Sequence, residues 1–98
     1  MLKKKYLRKT AEVKVTFVLP GDHPYGKISL VGDFNNWDPS KNKLVKRSNQ
    51  TYTTSVVLPK GGKYYFRYLT AEGEWINDDD ADGYEASAYG SDNCVLLT

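Results

Sequence analysis

The run Lys63-Tyr-Tyr-Phe-Arg-Tyr-Leu69 restricts the possible folds more than any other part of this chain. Tyr64, Phe66 and Tyr68 fall on one side of an extended backbone, and Tyr65, Arg67 and Leu69 on the other. Bulky aromatics at period two suit a pleated sheet, and the arginine marks the second side as open to water. The same alternation returns at residues 12–19, where Val13, Val15, Phe17 and Leu19 oppose Lys14 and Thr16. Residues 51–58 repeat it, with Tyr52, Thr54, Val56 and Leu58 opposite Thr53, Ser55 and Val57. Shorter strands are predicted at 27–31, 44–47, 75–76 and 93–97, punctuated by Pro20-Gly-Asp-His-Pro-Tyr-Gly26 and Pro59-Lys-Gly-Gly62. No eleven-residue window carries a helical stripe. About seven short strands in 98 residues predict an all-β, antiparallel β-sandwich around one core, and a small barrel also fits that length. The sandwich is expected over residues 11–98, preceded by a flexible basic arm at 1–10 with Tyr6 and Leu7 as its apolar contacts.

Charge and cysteine usage exclude whole classes of function. The arm holds Lys3, Lys4, Lys5, Arg8 and Lys9 and no acid, while residues 72–92 hold eight acids and no base. Without the arm, nine bases stand against twelve acids, which disfavours a polyanion, so no nucleic-acid partner is expected. No apolar run approaches the roughly 20 residues of a membrane span, so no membrane partner is expected either. Cys94 is the single cysteine and cannot close an internal disulfide; the expected compartment is the cytoplasm. Asp78-Asp-Asp-Ala-Asp-Gly83 imitates the start of a calcium loop, but Tyr89 stands where that loop needs a bidentate glutamate. It is read as a solvated acidic loop. His23 sits alone in a Pro/Gly loop, so no metal site or cofactor is expected. No nucleophile–base pair is visible, and so small a sandwich has little room for a deep cleft; the chain is not expected to be an enzyme.

A tryptophan in a polar turn is the feature that bears on function. Gly32-Asp-Phe-Asn-Asn-Trp37 ends the strand at 27–31, and Ala71-Glu-Gly-Glu-Trp75 brings a second tryptophan in a similar turn. Each indole either folds back as a plug over the core or faces solvent as a platform for a flat, half-apolar ligand. Phe34 is expected as a core anchor, and Asn35 and Asn36 as turn residues whose side chains cap backbone amides.

In order, these motifs resemble the family-48 carbohydrate-binding modules, the sandwiches found in isoamylases, glycogen-branching enzymes and the AMP-activated protein kinase beta subunit. The resemblance rests on Gly32-Asp-Phe-Asn-Asn-Trp37, Leu58-Pro-Lys-Gly61, Tyr64-Tyr-Phe-Arg-Tyr68, Gly73-Glu-Trp75, the Asp-rich loop and Tyr89-Gly-Ser-Asp-Asn93. It covers residues 13–97 and is similar to stand-alone bacterial members. It implies an immunoglobulin-like (early-set) sandwich that binds glycogen, starch or maltooligosaccharide. By motif position it implies that Trp37 and Trp75 stack on glucose rings while Arg67 and Asn93 bond hydroxyls. It implies further sugar contacts at Tyr89 and Ser91; Tyr89 stands where kinase-type members carry an aliphatic side chain. The turn before Trp75 is one residue longer here.

The chemistry agrees with that assignment. A pyranose offers an apolar face of C–H groups and an edge of hydroxyls; indole fits the first, and Asn, Arg and Ser the second. Two functions follow as expectations. One is a non-catalytic module for an α-1,4-linked glucan polymer or oligosaccharide. The other is a protein-interaction or scaffolding domain that keeps the fold without the sugar and docks on a glucan-metabolising enzyme.

Overall fold

The alternating runs pair as antiparallel ladders in the computed structural model, which describes residues 2–21, 26–87 and 91–98. The elements are β1 (Leu2–Leu7), β2 (Glu12–Pro20), β3 (Ile28–Gly32), β4 (Val45–Lys46), β5 (Thr51–Pro59), β6 (Lys63–Thr70), β7 (Trp75–Ile76), β8 (Gly83–Ala86) and β9 (Asp92–Leu97). One sheet runs in the order β1-β2-β5-β4; the other runs β3-β6-β9-β8, with β7 paired to the second half of β6. The protein is all-β, an immunoglobulin-like sandwich of two antiparallel sheets. Neither helical stripe nor membrane-length apolar helix is present among the described residues.

Parity decides what lies between the sheets. Val13, Val15 and Phe17 of β2 and Leu58 of β5 face Leu30 of β3, Phe66 and Tyr68 of β6, and Cys94 and Leu96 of β9. Phe17 and Phe66 meet edge to face, with centroids 5.1 Å apart. Each such side chain, fully removed from water, contributes about 1.5–3 kcal/mol. Phe34 packs against this cluster from the turn after β3, 6.0 Å from Phe17, as expected of an anchor.

Tyr68 brings a polar tip into the core, and the acidic segment satisfies it. Its hydroxyl donates to Asp78 Oδ2 at 2.6 Å, and Asp78 is only 3% exposed. Burial first, and then the Asp78 carboxylate, push the Tyr68 hydroxyl well above its ordinary value. Asp78 Oδ1 also accepts from Asp80 N, and Asp78 N donates to Cys94 Sγ. The solvated loop expected here is corrected at this position: Asp78 is a buried partner of the core, whereas Asp79, Asp80 and Asp82 are exposed.

Two strands escaped the sequence reading. Residues 2–7, expected as a flexible arm, form β1 along β2, with Leu2 opposite Phe17 and Tyr6 opposite Val13. Leu2 packs on the core, and Lys4 points inward beside it to pair with Asp82 at 2.7 Å. Asp82 Oδ2 also accepts from Leu97 N on β9, so this carboxylate ties the edge of one sheet to the other. Alternation within Leu-Lys-Lys-Lys-Tyr-Leu is hidden because a lysine occupies the inward position. An inward charge on an edge strand also discourages pairing with another chain. The second addition, β8, lies in the acidic segment, where Gly83, Glu85 and Ala86 carry little strand propensity. Pairing with β9 supplies what local preference does not.

Candidate functional site

The outer face of the β3-β6-β9-β8 sheet follows from strand parity. Since Phe66 and Tyr68 point inward, Tyr65 and Arg67 point outward, and the register adds Trp75, which stands opposite Leu69. The β6–β7 hairpin fixes Trp75 there through Thr70 N to Glu74 O at 2.9 Å, with Gly73 supplying φ +87° in the turn. Trp75 is 46% exposed. For this residue the structure places the ring on the surface, not over the core.

Trp37 arrives from the other side of the face through a more constrained turn. Asn36 and Trp37 both adopt left-handed backbone, φ +58° and +57°, which is strained for a tryptophan. The buried Asn35 side chain holds the turn. It accepts from Gly32 N at 3.0 Å and donates to Leu30 O and to Asn42 Oδ1. Gly32 is required by close approach, since a Cβ there would sit 2.7 Å from the Tyr65 carbonyl oxygen. Asp33 then aims the ring: Oδ1 accepts from the indole Nε1 at 3.1 Å, while Oδ2 accepts from Tyr65 N at 2.8 Å. Trp37 is half-buried and pinned to β6 by one carboxylate.

The two indoles lie 6.4 Å apart between centroids with their planes at 56°, forming a shallow V. Arg67 sits beside it, its guanidinium carbon 5.5 Å from the Trp75 ring centroid. Arg67 Nε donates to Asn77 Oδ1 at 2.8 Å and Nη1 to Ser91 Oγ at 3.0 Å. Asn77 is itself anchored by donating Nδ2 to Asp92 O. These bonds hold the guanidinium plane in place and leave further N–H groups for a ligand.

Trp37, Trp75, Arg67, Ser91 and Asn93 all border one groove of about 770 Å³. The structure thus brings together five of the six site residues expected from the sequence. The sixth, Tyr89, lies outside the described residues, as does His23. Tyr65, Ala86 and Ser87 complete the lining and were missed. For Tyr65 the signal was present, because strand parity already set it beside Arg67. Asp33 and Asn77, which hold Trp37 and Arg67, act through another side chain and leave no periodic trace.

A face of paired indoles with polar side chains along one edge has the two kinds of surface, apolar plane and hydrogen-bonding rim, that a pyranose presents. The chain belongs to the family described as carbohydrate-binding module 48 (isoamylase N-terminal domain), which it matches over residues 26–86. It is similar to the amylopullulanase of Thermoanaerobacterium thermosulfurigenes, with 32% identity over 83 residues, covering 82% of this chain and 4% of that protein. It is also similar to the amylopullulanase of Thermoanaerobacter thermohydrosulfuricus, with 29% identity over 84 residues, covering 82% of this chain and 5% of that protein. The chain therefore corresponds to about one twentieth of the length of these relatives.

Proposed function

We propose that this chain is a non-catalytic module that binds α-1,4-linked glucan, as glycogen, starch or maltooligosaccharide. The reading is carried by the tilted pair Trp37 and Trp75 bordering one groove with Arg67 between the sheet and the ligand space. Two planes at 56° suit a chain that curves, as α-1,4 linkages make it do, better than a flat extended one. Trp37 and Trp75 stack on the C–H faces of glucose; Arg67 and Asn93 bond hydroxyls, with Ser91 and Tyr89 as secondary contacts. The nearby carboxylates Asp33 and Glu85 hold Trp37 and Tyr65 in position, which is a scaffolding use rather than acid–base chemistry. Both relatives carry the name amylopullulanase, in line with a glucan ligand.

Affinity follows from magnitudes. Stacking that removes roughly 100 Å² of apolar surface contributes about 2.5 kcal/mol per tryptophan. Association opposes it with about 4–15 kcal/mol, so binding to one chain lies in the micromolar-to-millimolar range. A branched polymer with many chain ends offsets that weakness by multivalency. Titration of tryptophan emission with maltoheptaose tests the reading: the emission shifts and saturates at millimolar sugar. An unchanged spectrum from the half-exposed Trp75 would sink it and favour the scaffolding domain that docks on a glucan-metabolising enzyme.

A further inference from the structure

The groove extends past the residues that the V of indoles needs, and the extension is built. Tyr65 stands on β6 and its hydroxyl donates to Glu85 Oε1 on β8 at 2.7 Å. In the sheet β9 lies between those two strands. Neighbouring strands are about 4.8 Å apart, so Tyr65 and Glu85 must lean toward each other across β9 to close this bond, which lays the tyrosine along the sheet. Val95 faces the same side directly opposite Tyr65, and it is only 4% exposed, as expected beneath a ring laid across β9. Lys63 pairs with Glu85 and places its ammonium 5.6 Å from the Tyr65 ring centroid. The hydroxyl end of the ring is therefore latched by an ion pair, and its body lines the groove. Beyond it, Ala86 keeps the wall low at the β8 edge.

We propose that Tyr65 is a third sugar platform, latched by Glu85 and Lys63, which extends the site across β9 and makes the module select longer glucan chains. The inference rests on the glucan reading above. A flat ring that lines the groove offers a further pyranose the same kind of surface that indole does, over a smaller area. A short oligosaccharide fills the V and Arg67 without reaching Tyr65. A longer one runs on over Tyr65 toward Ala86 and Ser87. Chain-length preference is then set by one side chain that lies outside the V.

Isothermal titration with maltotriose and maltoheptaose tests this on the whole chain. Tyr65→Ala lowers maltoheptaose affinity about tenfold and leaves maltotriose within about twofold, whereas Tyr65→Phe keeps most of the preference because the ring remains. Tyr65→Thr, a β-branched residue suited to the strand, makes the same measurement should the alanine variant lose stability. Equal losses for both sugars, or an unchanged ratio in Tyr65→Thr, overturn the third platform while the two-indole reading stands. A wild-type protein that binds neither sugar overturns both.

Discussion

On the outer face of the β3-β6-β9-β8 sheet, Tyr65, Arg67 and Trp75 stand where the outer face of the β1-β2-β5-β4 sheet presents Lys3, Lys5 and Lys14. The lysine face adds a hydroxyl pair, Thr16 and Ser55 at 2.9 Å, and sets Lys5 directly opposite Lys14. Both faces cover the same core with the same alternation, yet their long side chains are held to different degrees. Around the groove, the side chains that meet the ligand space are held by partners: Trp37 by Asp33, Arg67 by Asn77 and Ser91, Tyr65 by Glu85. On the lysine face no ion pair ties Lys3, Lys5 or Lys14 among the described residues. Fixed side chains lose little entropy on binding, and mobile hydrated lysines lose much. The difference therefore teaches that preorganisation, beyond the presence of aromatics, separates the proposed binding face from a solvated one.

The strongest way to break the comparison is to exchange the effects of the faces. Trp75→Ala weakens maltoheptaose binding by about 2 kcal/mol, roughly thirtyfold, while unfolding stability shifts little because the ring is half in water. Lys14→Ala leaves binding unchanged. Affinity electrophoresis on glycogen gels reads both, and a lysine-face variant that lost retention would erase the distinction. The core beneath serves both faces equally. Tyr68→Phe removes the donor that Asp78 accepts from, which costs about 1–3 kcal/mol of stability and lowers Tm, with glucan affinity retained below the transition. Thermal unfolding followed by circular dichroism measures that loss.

The sequence made the core legible for a simple reason: Val13, Val15, Phe17, Phe66 and Tyr68 obey period two, and burial enforces it. The positions of Trp37, Trp75, Arg67, Ser91 and Asn93 came from motif order, and strand parity alone already put Arg67 outside. What stayed hidden depends on contacts between distant residues. The strand β1 is masked because Lys4 takes an inward position, tolerable only since Asp82 lies 2.7 Å away, 78 residues along the chain. Asp78 has the sequence context of a solvated acid, and only its contact with the Tyr68 hydroxyl, ten residues away, makes it part of the core. The latch on Tyr65 needs three residues on two strands that are not neighbours.

A smaller effect sharpens the view of the lysine face as merely solvated. Like charges directly across an antiparallel ladder repel, so Lys5 and Lys14 oppose the pairing of β1 with β2. Lys14→Glu turns that repulsion into an attraction and raises stability by about 0.2–1 kcal/mol. Chemical denaturation at low salt detects the gain, which fades at high salt because exposed charges are screened. Glucan affinity does not move. A stability gain that persists in strong salt would mean that packing, not charge, had changed.

The smallest expected effect concerns the latch, through pH. Hydrogen bonds from Lys63 first, and then from Tyr65, hold the Glu85 carboxyl below its usual value. A depressed carboxyl contributes above its unfolded pKa and loses that contribution as pH falls through the folded one. The Glu85 hydrogen bond to Lys63 raises the lysine above its ordinary 10.5, so its contribution persists through neutrality and is lost only in strong alkali. The latch is therefore flat across neutral pH and opens only on acidification below the ordinary carboxylate range. The ratio of maltoheptaose to maltotriose affinity should stay constant from neutral pH to mild acid and decline only below that range. In Glu85→Gln the ratio is lower throughout and does not decline further, since no carboxyl remains to titrate. An inflection between pH 6 and 7 in the wild-type ratio would assign the control to an imidazole instead, and His23 is the single histidine of the chain.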